Sequence, residues 1–224
     1  MLKRLIVVFA VALLCTPILF ASNRDDDIDR AQAAGRVFTE IMQAPDGGIP
    51  HDLLQKAKCI VIIPGDVKFA FIFGGNYGRG VATCRTAHGW SAPLFIALGG
   101  GSVGYQIGGS STDLVLLLMN NHALQSLLSD NFKLGANAAV AAGPVGRKAS
   151  ASTDLKMNAE ILSYSRSKGV FAGVSLNGSV IKIDQSGDEA FYGSKVDRHK
   201  ILDGSVKAPA AARALQRDLH RYAG

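Results

Sequence analysis

A chain of 224 residues with 48% apolar residues, 25 glycines and only 7% aromatics is long enough for one domain with a real core and too apolar to be disordered. Its formal net charge of +6 is modest, and its placement towards the C-terminus points to anionic lipid or another acidic envelope surface more readily than to nucleic acid. A solvated helix face is the plainer reading of the same charges.

In chain order, Lys3 and Arg4 precede an apolar run from Leu5 to Leu14 that extends past Pro17 to Phe20, the pattern of an export signal over residues 1–21. Cleavage is expected after Ala21. Leu19 is larger than the small residue preferred there, so retention as an anchor stays open. Leu14 is too large to precede a lipid-acceptor cysteine, which argues against that role for Cys15. The protein is therefore expected to be exported, periplasmic or secreted, and peripherally membrane-associated.

Asp25 to Asp29 opens a helix in which Ile28, Ala31, Ala34, Val37, Phe38 and Ile41 recur at helical spacing. Its polar face carries Asp and Glu as well as Arg, so packing on a sheet is expected rather than membrane insertion. After the turn APDGG, Ile49-Pro50-His51 starts a second short helix that runs through Ala57. Cys59 to Pro64, Phe69 to Phe73 and Val81 to Arg85 read as strands, and turn signals every eight to twelve residues or so imply antiparallel pairing. A turn near Gly74 and Gly75 would set Cys59 and Cys84 on neighbouring strands, where they could pair in an oxidising compartment. Sequence does not settle that connectivity, and the free and bonded states both stay open.

Trp90 to Leu98, Ser102 to Ile107 and Thr112 to Met119 continue the sheet, residues 121–129 form a short helix, and Leu134 to Ala142 is expected to be a further strand. Ala159 to Ser163 and Gly169 to Leu176 follow, with SRSKG between them as a basic turn, and Gly178 to Asp184 is expected to close a hairpin. QSGDE reads as a charged loop. Pro209 then starts a last helix with Ala212, Leu215, Leu219 and Tyr222 on one face and Arg213, Arg217 and Arg221 on another. Residues 195–224 carry seven Lys or Arg against three Asp, a local charge of +4.

Gly99, Gly101 and Gly104 spell G-x-G-x-x-G, but the fingerprint needs a helix at its third glycine and an acidic residue roughly 20 positions on. Gly108 and Gly109 break such a helix, and Leu124 stands at the acidic position. Glycines inside apolar strands mark bends or close backbone approach, hence a strongly curved or barrel-like sheet. GPVGRK at 143–148 lacks the spacing of a phosphate-binding P-loop; an anion nest backed by Arg147 and Lys148 and a plain tight turn both remain open. His51, His88, His122, His199 and His220 have no metal-ligand spacing, no nucleophile elbow occurs, and Asp66, Asp113 and Asp154 suit caps or turns, so neither metal, cofactor nor catalysis is expected.

WSAP at 90–93, GGGSVGYQIG at 99–108, STDLVLLLMN at 111–120, AAGPVGR at 141–147 and YSRSKGVFAGVSLNGS at 164–179 together resemble the SYLF domain family, with IPHDLLQKAKCIVIIP at 49–64 like its passage from helix to sheet. The resemblance implies a phosphoinositide- and lipid-binding module. Fungal and animal members are also linked to actin and Src-homology-3 domains, and bacterial members are exported stand-alone proteins. In animal members an N-terminal amphipathic helix helps engage membrane; the acidic start of Ile28 to Met42 departs from that pattern.

These readings combine into an α+β domain over 22–205, with a strongly curved, glycine-rich antiparallel sheet and helices at both chain ends, followed by a basic amphipathic helix over 206–224. Its expected activity is non-enzymatic binding of anionic or phosphorylated lipid headgroups by Lys56, Lys58, Lys68, Arg79, Arg147, Lys148, Arg166 and Lys168 as donors to phosphate. The competing expectation is an envelope structural or assembly protein that self-associates or holds a protein partner.

Overall fold

The computed structural model describes residues 24–44, 48–70, 74–102, 110–145, 159–167, 170–174 and 176–224. The leader, residues 103–107 of the expected Ser102 to Ile107 strand, and Arg147, Lys148 and Lys168 lie outside them.

Helices α1 (Arg24–Met42) and α2 (His51–Lys56) lead into strands β1 (Cys59–Ala70), β2 (Gly74–Thr86), β3 (Gly89–Trp90), β4 (Leu94–Ser102) and β5 (Ser110–Leu118). Helix α3 (Asn121–Leu127) follows, then β6 (Phe132–Lys133), β7 (Val140–Ala142), β8 (Ile161–Ser167), β9 (Val170–Gly173) and β10 (Val180–Ile183). The chain ends in α4 (Gln185–Tyr192), α5 (Arg198–Leu202), a 3-10 turn at Ala210–Ala212, and α6 (Arg213–Ala223). The fold is α+β: a curled, half-barrel sheet in the order β6-β10-β4-β2-β1-β5-β8-β7, with β3 added to β2 and β9 to β8, and helices at both ends. All described pairings between named strands are antiparallel except β7 with β8.

The continuous apolar runs exist because the sheet is buried on both faces, so alternating side chains enter two separate cores. Ile60, Ile62, Val81, Phe95, Val115 and Leu117 meet Phe38 and Ile41 of α1, Phe191 of α4, and Leu215 and Leu219 of α6. Their neighbours Val61, Ile63, Ala82, Leu94, Ile96, Leu114 and Leu116 pack with Leu127 of α3 and Ile201 and Leu202 of α5. β1 carries a shift of register, between Ile62 and Val67 against β2 and between Ile63 and Asp66 against β5. Gly80 faces it, and a Cβ there would lie 2.2 Å from the Ile62 carbonyl oxygen, so only glycine lets β2 cross so close. Cys59 and Cys84 stand opposite each other in the β1–β2 register and are joined by a disulfide.

Several elements differ from expectation. Pro93 has no N–H for a ladder, and Trp90 to Leu98 divides into β3 and β4 around Ser91–Pro93. Leu134 to Ala142 is no continuous strand: Gly135 turns at φ 84°, the Asn137 side chain accepts from the Lys133 N–H at 2.7 Å, and only Val140–Ala142 pairs with β8. Ser165 to Ser167 belong to β8 and not to a turn. β10 pairs with β4 and β6, not with β9. QSGDE forms the first turns of α4, capped by Asp184, whose side chain accepts from the Gly187 N–H at 3.1 Å. The α4 glycine that suggested a loop is a packing device, because a Cβ on Gly187 would lie 2.9 Å from Asp184 Oδ2 and 3.2 Å from Phe95 Cβ.

Candidate anion-binding surface

The amphipathic pattern of α1 buries more than its apolar stripe: Asp27 is fully buried and Arg30 is 8% exposed. Arg30 reaches Asp27 at 2.7 Å within its own helix and Asp184, the cap of α4, at 2.9 Å. Arg79 arrives from β2 and donates twice to Asp184 Oδ2, from Nη2 at 2.7 Å and Nε at 3.2 Å, with Asp27 at 3.9 Å. Two guanidinium groups and two carboxylates thus close a cage that ties α1, β2 and the start of α4 together. Burial pushes the Asp184 carboxyl up, but hydrogen bonds from Arg79, Ser186 and Arg30 outweigh it and hold the group at about 2. One helical turn on, Asp188 accepts from the Phe95 N–H at 2.8 Å; burial pushes it up to about 7, with Asp184 and Asp27 adding to the effect.

Arg166, at the end of β8, sits opposite Asp113 on β5 and donates to it from Nη2 at 2.7 Å and Nε at 3.2 Å. Glu40 of α1 meets the same guanidinium. Arg79 and Arg166, both expected as phosphate donors, are therefore given to carboxylates, and the loop expected to carry Arg166 is strand. Lys56 and Lys58 are exposed, at the end of α2 and just before β1. The Lys68 backbone pairs with Asn76 and Ser110. Arg147, Lys148 and Lys168 lie outside the described residues.

The last helix is built differently. Ala212, Leu215, Leu219 and Ala223 are buried, and Tyr222 meets Phe38 edge-on at 6.1 Å between centroids. Full burial of Leu215 and Leu219 supplies about 1.5–3 kcal/mol each, enough to dock a short helix. Gln216 donates to the carbonyls of Trp90 at 2.9 Å and Ser91 at 3.2 Å. Arg85 on β2 stacks over the Trp90 ring at 4.6 Å and donates to the carbonyls of Leu54 at 3.0 Å, Ala57 at 3.1 Å and Ala223, closing the ends of α2 and α6. With its apolar face so fixed, α6 turns Arg213, Arg217 and Arg221 outward, all exposed and none with a hydrogen-bond or ion-pair partner among the described residues. Their i, i+4, i+8 spacing was visible in the sequence. Their contrast with Arg30, Arg79 and Arg166, which carboxylates neutralise, was not.

No group of three or more metal-ligating side chains occurs among the described residues, and no described helix is long and apolar enough to cross a membrane. The family described as "Ysc84: Las17-binding protein actin regulator" matches residues 99–222. Protein YSC84 of Saccharomyces cerevisiae is 39% identical over 182 residues, covering 80% of this chain and 39% of that protein. LAS seventeen-binding protein 3 of the same organism is 38% identical over 182 residues, again 80% of this chain and 39% of that protein. SH3 domain-containing YSC84-like protein 1 of Homo sapiens is 34% identical over 205 residues, 90% of this chain and 60% of that protein. The chain thus spans 39% of the yeast proteins it matches and 60% of the human one.

Proposed function

We propose, from the premise that this chain belongs to the Ysc84 family of SYLF-domain proteins, that it is a non-enzymatic module that attaches reversibly to anionic membrane lipid. The observation that carries the reading is the row of exposed arginines on α6, without partners among the described residues and set on a helix whose other face is locked into the core. A Lys or Arg near an anionic bilayer contributes about 1 kcal/mol, so three on one rigid face suffice for reversible attachment, and Lys56, Lys58, Lys68, Arg147, Lys148 and Lys168 can add to it. The proposed setting is the cell envelope, with the protein exported as periplasmic or secreted. The leader-like residues 1–21 and the Cys59–Cys84 disulfide support an oxidising compartment.

Co-sedimentation with neutral and anionic liposomes at low and high salt tests it. Binding to anionic vesicles alone, weakened as salt screens the arginines, is the expected result. A folded protein that ignores both vesicle types contradicts it.

A second reading has support of its own, because relatives carry names that describe binding to Las17. A protein partner or a second copy of this chain would then occupy the surface. That reading predicts association that persists in high salt without lipid, read by light scattering or by recovery of one defined partner.

A further inference from the structure

Between the end of β10, the first turns of α4 and the segment that leads into α5 lies a pocket of about 180 Å³, and Asp188 forms part of its wall. Asp188 is only 4% exposed. Its Oδ1 accepts from the Phe95 N–H at 2.8 Å, whereas Oδ2 has no hydrogen-bond partner among the described residues. Burial of a carboxyl with one oxygen unbonded is costly, and a donor brought by a ligand would offset that cost.

The rest of the wall carries both signs of charge, in Glu189, Asp197, Lys195 and Arg198. Two of these are already engaged. The Asp197 carboxylate accepts from the His199 and Lys200 N–H groups at 2.8 Å and 3.3 Å as the cap of α5, and Arg198 donates to Asp130 at 2.8 Å. Glu189 and Lys195 are exposed and have no side-chain partner among the described residues. The acceptors left over stand on α4, and the cation left over stands beyond its end.

We propose that this pocket binds a small zwitterion of the α-amino acid type, with its ammonium group on Asp188 and Glu189 and its carboxylate on Lys195. A volume of about 180 Å³ is the room of roughly six waters, which suits a molecule of about six non-hydrogen atoms. The site shares no residue with α6 and is independent of the membrane reading.

Asp188 is faced by Asp184, Asp27 and Arg30 of the cage, by Tyr192 of its own helix and, in the pocket, by Glu189, Lys195, Asp197 and Arg198. Burial raises its carboxyl to about 7. An ammonium ligand favours the ionised form, so affinity rises from about pH 5 to about pH 8 and binding releases a proton.

The Phe95 amide, bonded to Asp188, is the reporter, followed by amide NMR of the full chain. The protein is titrated with L-alanine, with L-alaninamide, which keeps the ammonium and lacks the carboxylate, and with L-lactate, in which a hydroxyl replaces the ammonium. The expected result is a Phe95 response to alanine at least about tenfold tighter than to either analogue, the worth of one charge-assisted hydrogen bond. Lys195→Met, at an exposed position, should bring alanine to the level of alaninamide, with an equal unfolding midpoint to verify the fold. Asp188→Asn, verified as folded in the same way, should remove the rise of affinity with pH. No response to alanine, an equal response to all three compounds, or alaninamide bound as tightly as alanine overturns the proposal without recourse to a variant. So does alanine binding that is indifferent to pH or to the loss of the Lys195 charge.

Discussion

Arg30, Arg79 and Arg166 lie where sheet and helices meet, and each has carboxylates within hydrogen-bonding reach. Arg213, Arg217 and Arg221 lie on a helix of the same core and have none among the described residues. The difference teaches that charge type says little about use: the first set is tied into the fold by carboxylates, one of which, Asp27, is fully buried, while the second has no such partner among the described residues and faces outward.

The comparison breaks first at Arg30. Arg30→Ala leaves the fully buried Asp27 without its closest cation and should cost about 3–5 kcal/mol in urea unfolding. A loss under about 1 kcal/mol would mean that the cage is no part of the fold's stability.

Next comes the pH dependence of Asp188, one helical turn beyond the cage, and of Asp184 within it. Asp188 rises from an ordinary 3.8 to about 7 on folding, so its stabilising contribution is full below about 4 and is lost as pH rises through about 7. The ionised group would face Asp184 and Asp27 as well as Arg30, with Tyr192 nearby. Between pH 5 and pH 8 the protein should lose about 2–3 kcal/mol of stability through this residue, and Asp188→Asn should flatten that slope while keeping the acceptor for the Phe95 N–H. Asp184 acts in the opposite sense: its contribution is full above about 4 and is lost as pH falls through about 2. Equal slopes for wild type and Asp188→Asn would contradict the assignment.

Arg85 joins the two sets, since it closes the ends of α2 and α6 without a carboxylate. Arg85→Ala should cost about 1–3 kcal/mol and shift Trp90 emission as the ring loses its stacked guanidinium. Unchanged emission would show that α6 is held in another way.

Much of the fold was legible in the chain because apolar periodicity is local. The strands from Cys59 and Thr112, the helical stripe of α1 and the two faces of α6 all follow from it. What was not legible depends on contacts far apart in sequence. The DDDID start of α1 reads as an acidic helix start, and the burial of Asp27 follows only when Arg30, its partner within the helix, is itself held by Asp184 and Arg79 arrives from β2. QSGDE reads as a loop because the close approach of Phe95 that demands Gly187 lies 92 positions away in the chain. The candidate site was half legible: basic residues can be named from sequence, but Arg166 facing Asp113 across two strands and Arg79 facing Asp184 cannot. The arginines of α6 stand out only after those pairings are known.

The smallest expected effect on stability belongs to the second set. Replacing Arg213, Arg217 and Arg221 together by alanine touches no hydrogen bond or ion pair among the described residues and should leave unfolding within about 0.5 kcal/mol of wild type. The same triple variant is the most direct test of the account when its binding to anionic vesicles is measured beside the wild type. Loss of about 3 kcal/mol of binding, on the order of a hundredfold, with the fold intact is the predicted result. Undiminished binding by a folded triple variant would contradict the proposal that the exposed arginines of α6 are the surface through which this protein acts.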